Sequence, residues 1–167
     1  VLQIFSILLL SGVSFGQVTD LGGPRGWLST PEAKTGGKLF SMPKVDLLKL
    51  QTEDAINDPA KDAPWRFGYK HDTDIKLQDN ASGWKTLVNG DRIWRTEIKS
   101  KDAISINLIF EDFYLPEGAH LYLYDKNQTN RVGAYTSRNN REDGILGTEL
   151  VHGDHIVVEY FEPNSVE

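Results

Sequence analysis

The chain has 167 residues, 39% of them hydrophobic and 25% charged, with a formal net charge of −6 and no cysteine. That is material for one ordinary domain with a single core. Lysine and arginine are scattered singly in an acidic chain, which argues against nucleic-acid or anionic-membrane binding, and the missing cysteine removes disulfides, thiolate metal sites, iron–sulfur clusters and cysteine nucleophiles.

The first element is apolar. Val1 to Gly16 carry no charge, and Ile4 to Leu10 is too short a run to span a hydrocarbon core of ~30 Å. Ser14-Phe15-Gly16 places small residues at the −3 and −1 positions before Gln17, so residues 1–16 read as a secretory signal that lacks its basic start. A buried N-terminal strand is the alternative. Export without cysteine points to a bacterial protein, secreted and periplasmic only in transit, because small secreted eukaryotic domains usually rely on disulfides. Residues 17–63 follow as an extended arm, punctuated by Gly22-Gly23-Pro24, Thr30-Pro31, Gly36-Gly37, Pro43 and Pro59. Within it, Val45 to Ile56 has no clean stripe, and a short helix and a lone edge strand are both open.

Composition changes at Pro64-Trp65. Beyond residue 16 the chain has 15 aromatics, and 13 of them lie from Trp65 onward, where the apolar pattern takes a period of two. Strands are expected at Trp65 to Tyr69 and Ile93 to Ile98, then at Ile104 to Phe110, Leu121 to Tyr124 and Ile156 to Phe161. Turn signals separate them at Asn89-Gly90-Asp91, Leu115-Pro116-Glu117-Gly118, Asp125-Lys126-Asn127, Asn139-Asn140, Asp143-Gly144 and His152-Gly153-Asp154. With no ten-residue amphipathic helix between strands, residues 64–163 read as an all-β, antiparallel β-sandwich of jelly-roll type preceded by the irregular arm. Residues 164–167 would begin a linker to a further domain. The expected core is Trp84, Trp94, Ile98, Ile106, Leu108, Phe110, Leu121, Leu123, Val158 and Tyr160.

Reactive constellations are sparse. His152, Asp154 and His155 could be drawn as zinc ligands, but three positions on one tight turn rarely converge on a metal, so polar turn residues explain them better. Asp125 to Asn130 has oxygen donors at alternate positions, as calcium loops do, yet lacks the central glycine and the closing glutamate. His71 beside Asp72 and Asp74 reads as a solvated charged run. Serine elbows of the Gly-x-Ser-x-Gly kind are absent, and the adjacent acids Glu53-Asp54, Glu111-Asp112 and Glu142-Asp143 cannot flank one bond from a strand. No catalytic, cofactor-binding or metal residue is assigned, and no cofactor. Asn80-Ala81-Ser82 and Asn127-Gln128-Thr129 match the glycosylation sequon, which a bacterial origin would silence. Trp84, Trp94, Tyr122, Tyr124 and Tyr135 could form a sugar-stacking platform, although core and cross-strand packing are the commoner uses of such residues. Arg95 is expected to pair with Glu97 or with Glu159 across the sheet.

A longer pattern joins these elements. Trp84, Gly90-Asp91-Arg92-Ile93-Trp94-Arg95, Ile98-Lys99-Ser100, Ala103 to Leu108, Leu115-Pro116-Glu117-Gly118-Ala119, Leu121 to Tyr124, Gly133 to Thr136 and Val158 to Pro163 mark a region running from roughly Trp65 to Pro163. It resembles the N-terminal pro-region of secreted bacterial trypsin-like serine endopeptidases of the lysyl endopeptidase type, as found in Bacteroidetes. The resemblance implies a non-catalytic pro-domain that assists folding of a downstream protease domain, or covers its cleft until cleavage, and that docks by a strand edge or loop. A different class, a secreted β-sandwich module recognising a glycan or a surface protein, fits the same strands. In either case the mature form has no membrane segment, and its expected partner under the first reading is the protease domain of the same precursor.

Overall fold

The computed structural model describes residues 22–27, 37–59, 64–77 and 81–166. The signal expected at 1–16, much of the arm and the sequon asparagine Asn80 lie outside the described residues. In chain order the elements are β1 (Lys38–Ser41), α1 (Leu47–Asn57), β2 (Trp84–Thr86), β3 (Arg92–Lys99), β4 (Ser105–Ile106), β5 (Ile109–Phe110), β6 (His120–Asp125), β7 (Arg131–Tyr135), β8 (Leu146–Gly147), β9 (Val151–His152) and β10 (His155–Glu162). Single 3-10 turns lie at Arg25–Trp27, Ala81–Gly83 and Ser137–Asn139. The fold is predominantly β, as the period-two pattern implied.

The main sheet has the order β1-β3-β10-β6-β7, with β2 also paired to β3. Its centre is β10, which runs antiparallel to β3 on one side and to β6 on the other. Nearly every residue of β10 is buried, because both faces of the sheet are covered and both neighbours are long. Two small antiparallel pairs, β4 with β9 and β5 with β8, stand apart from it. The register between β6 and β7 shifts between Leu121 and Leu123. Gly133 sits beside that shift with φ of 109°, and a Cβ there would lie 2.6 Å from the Leu121 carbonyl oxygen, so only glycine fits the approach.

One face of the sheet carries the core. Trp94 and Ile98 of β3, Ile156, Val158 and Tyr160 of β10, Leu121 and Leu123 of β6, and Val132 and Tyr135 of β7 pack with Phe113, Leu115, Ala119, Leu146 and Val151 from the segments lying over it. Each buried valine, leucine, isoleucine or phenylalanine among them contributes about 1.5–3 kcal/mol on leaving water. Trp84, Ile106, Leu108 and Phe110 border this cluster half-buried, so all ten expected core residues touch it.

Three expectations need correction. Ile104 to Phe110 is not one strand: it breaks at Asn107-Leu108 into β4 and β5, which pair with different partners, and Ile104 is 88% exposed. The chain bends there because Leu108 N–H turns to the Thr148 hydroxyl at 3.0 Å instead of a ladder. Trp65 to Tyr69 forms no strand; Arg66 reaches back to α1, bonding Asp54 and Glu53 at 2.8 Å each, and the flanking aromatics stay exposed. The sheet is also not wholly antiparallel, since β1 of the arm joins the β3 edge in parallel register, with Thr96 Oγ1 donating to the Lys38 carbonyl at 2.9 Å.

Between the alternatives open for Val45 to Ile56, the chain forms a helix. Asp46 caps α1 by accepting from Lys49 N–H at 3.1 Å, which satisfies one of the first-turn donors. No residue of α1 is buried, in keeping with the missing apolar stripe.

Candidate interaction surfaces

Alternation along β3, β10 and β6 places a second set of side chains on the opposite face of the sheet. Ile93, Arg95 and Glu97 stand opposite Phe161, Glu159 and Val157, which in turn face His120, Tyr122 and Tyr124. At the centre Arg95 and Glu159 are 5% and 1% exposed. Arg95 Nε donates to Glu159 Oε2 at 2.9 Å, and the Tyr124 hydroxyl donates to the same oxygen at 2.9 Å. Of the two carboxylates offered to Arg95 by the sequence, Glu159 is therefore the partner; Glu97 instead meets His155 Nε2 at 2.6 Å and Lys126 Nζ at 3.6 Å. Burial, and then the Glu159 charge, push the Tyr124 hydroxyl far above its ordinary value, so it stays a donor.

Residues 22–27 lie across this face as a strap. Pro24 is fully buried, and the 3-10 turn is closed by Trp27 N–H donating to the Pro24 carbonyl at 3.1 Å. Trp27 meets Tyr124 edge-on with ring centroids 5.6 Å apart and packs on a cluster of Tyr122, Tyr124, Ala134 and Val157. Arg25 lies over the Phe161 ring at 4.9 Å, and Arg131 over the Trp27 ring at 5.4 Å. His120 stacks on Phe161 at 4.5 Å, and burial, followed by the Arg25 charge, holds its pKa below the usual histidine value.

The other prominent surface is an open cleft of ≈ 1510 Å³ between α1, the 66–75 stretch and the β4–β5 segment. Its walls include Leu47, Leu48, Phe67, Tyr69, Ile104 and Leu150. All six are exposed, Phe67 at 82%. Neighbouring apolar side chains left in water at this density mark a place for a partner more often than a reaction site.

The residues considered for chemistry are placed apart. His152 is exposed, and His155 is held by Glu97. No group of three or more histidine, aspartate or glutamate side chains able to hold a metal occurs among the described residues. Asp125 is occupied within its own loop: it accepts from Asn127 N–H at 3.0 Å, Thr129 N–H at 2.7 Å, the Thr129 hydroxyl at 3.0 Å and Asn130 N–H at 2.5 Å. Burial pushes its pKa up, but these donors outweigh it and hold the carboxyl below the ordinary value. The alternate oxygens at 125–130 thus make a turn, with Gln128 at φ of 61°. His71 lines the cleft beside Tyr69.

The five aromatics weighed as a sugar platform are split by the sheet. Trp94 and Tyr135 are in the core, with Trp84 at its margin against Tyr160, whereas Tyr122 and Tyr124 lie on the opposite face. Pro116 and Gly118 form the turn that leads into β6: Ala119 N–H donates to the Pro116 carbonyl at 3.2 Å and Gly118 takes φ of 82°. Asn140 clamps the start of that turn, accepting from Leu115 N–H at 2.9 Å and donating to the Leu115 carbonyl at 2.8 Å.

Sequence reasoning missed the strap. A lone tryptophan in an aromatic-poor stretch, preceded by Pro24 and Arg25, was the available signal, but nothing local says which distant face it meets. No family model and no solved structure matches the chain. No helix among the described residues is long and apolar enough to cross a membrane.

Proposed function

We propose that the chain is the non-catalytic N-terminal pro-domain of a secreted bacterial serine endopeptidase precursor, folded as a β-sandwich of jelly-roll type and docking on the protease domain that follows it. In this reading the main sheet is one layer, and the segments bearing Phe113, Leu115, Leu146 and Val151 over its core face form the second. The observation that carries the docking role is the contrast in how surface groups are used. Carboxylates of the body are taken up internally, Glu159 by Arg95 and Tyr124, Glu162 by Arg92 and Tyr160, and Asp125 by its loop, while the cleft presents exposed apolar side chains. Such a surface suits a protein partner. A trypsin-like β-barrel, dominated by long-range contacts and slow to fold, is a partner that gains from a preformed template.

The same cleft favours one version of the second reading, a module that recognises a surface protein; the separation of the five aromatics gives the glycan version no such support. Refolding distinguishes the two. The trypsin-like domain encoded downstream in the same frame is denatured, then diluted with and without one equivalent of this chain, and hydrolysis of a lysyl anilide substrate is followed. The pro-domain reading expects a several-fold gain in recovered activity. Equal recovery, or a frame that encodes no such domain, overturns it.

A further inference from the structure

The strap is held to the sheet face by side-chain contacts. It enters no strand pairing, and its backbone bond from Trp27 to Pro24 closes a turn within itself. Its side chains grip the face, with Pro24 buried, Arg25 over Phe161, and Trp27 on Tyr124 and under Arg131, which also donates to the Gly22 carbonyl at 3.4 Å. Beneath it Arg95, Glu159 and Tyr124 bond one another, and His120 stacks on Phe161. The fit is also not fully optimised, because the indole N–H of Trp27 is buried with no hydrogen-bond partner among the described residues. An aromatic face with a short linear segment laid on it by a proline, a cation and an indole has the anatomy of a peptide site with its ligand in place.

We propose that this face of the main sheet is a recognition site for a linear Pro-Arg-x-Trp segment, and that residues 24–27 are its intramolecular ligand. Tyr122, Tyr124, Val157 and Phe161 supply the apolar floor. Phe161 receives the arginine, and Arg131 closes over the indole. Tethering gives the strap a high effective concentration, so the site is closed to the same sequence offered in trans until the strap is weakened. This inference is independent of the pro-domain reading, since it concerns the opposite face of the sheet from the core and not the cleft.

The test uses the full chain and a labelled peptide, Gly-Gly-Pro-Arg-Gly-Trp, followed by fluorescence anisotropy. Trp27→Ala is expected to bind the peptide saturably and at least about ten-fold more tightly than the unaltered chain, whose own strap competes. Trp27→Phe, which keeps an aromatic ring on Tyr124, is expected to stay closed. A peptide with alanine in place of tryptophan is expected not to bind. The proposal is overturned if a cooperatively melting Trp27→Ala protein fails to bind, if the unaltered chain binds equally well, or if a scrambled peptide binds as tightly. It is also overturned if both variants lose cooperative melting, because the segment would then be part of the core and not a ligand.

Discussion

On one face of β10, Ile156 and Val158 meet leucines, a tryptophan and an isoleucine; on the other, Val157 and Phe161 flank Glu159, whose carboxylate sits with a guanidinium and a phenol. The two faces are made by alternate residues of the same strand and are about equally dry. Their energetics differ. The core face gains from area and tolerates small losses in proportion to the volume removed, whereas the opposite face is stable only while its charges stay paired, so removing one partner costs more than the pair contributes.

The largest expected effect breaks that second face. Glu159→Ala leaves Arg95 buried without its carboxylate, and urea unfolding should show a loss of about 3–5 kcal/mol. The double variant Arg95→Met with Glu159→Leu should recover most of it, because it removes the charge together with its counter-charge. If the double variant is as unstable as the single, the face is not held in the way argued. On the core face, Leu123→Ala should cost about 2–5 kcal/mol in the same measurement, with no such rescue from a second truncation. Asp125→Ala comes next at about 1–3 kcal/mol, since the N–H groups of Thr129 and Asn130 lose their acceptor; hydrogen exchange localised to 126–130 would confirm that the loss is local.

The smallest effect is one of pH. His120 lies on the strap-covered face, and its pKa is lowered by burial first and by Arg25 second, with Glu159 and a backbone bond at Gly118 opposing. The unfolded chain therefore takes up a proton at a higher pH than the folded one. Stability contributed here is complete above about 6.5 and falls as pH drops below that value. Melting followed from pH 7.5 to 5 should show the decline, and His120→Phe, which retains a stacking ring, should flatten it. A His120→Phe curve parallel to that of the unaltered chain would assign the slope to other groups.

The core face was legible in the sequence because period-two alternation directly names the residues that share a side. Trp94, Ile98, Leu121, Leu123, Val158 and Tyr160 all follow from it. The opposite face was half legible: Arg95 and Glu159 were visible as a pair of options, but choosing Glu159 over Glu97 needs the register between β3 and β10, which no local pattern encodes. Ile104 shows the limit in the other direction. Its alternation with Ile106 and Leu108 is real, yet the chain leaves the strand geometry at Asn107, and the first residue of the run ends in solvent. The strap and the parallel entry of β1 depend wholly on distant partners, so composition alone made both look like unstructured arm.

The claim that the second face carries a separable cover is tested most directly by native-state hydrogen exchange in low denaturant. Trp27 N–H, bonded within the strap, is expected to exchange through a local opening with little dependence on denaturant, while the amides of β10 and β6 exchange only on global unfolding. Equal protection and equal denaturant dependence for Trp27 and β10 would contradict the claim, since strap and sheet would then open as one unit.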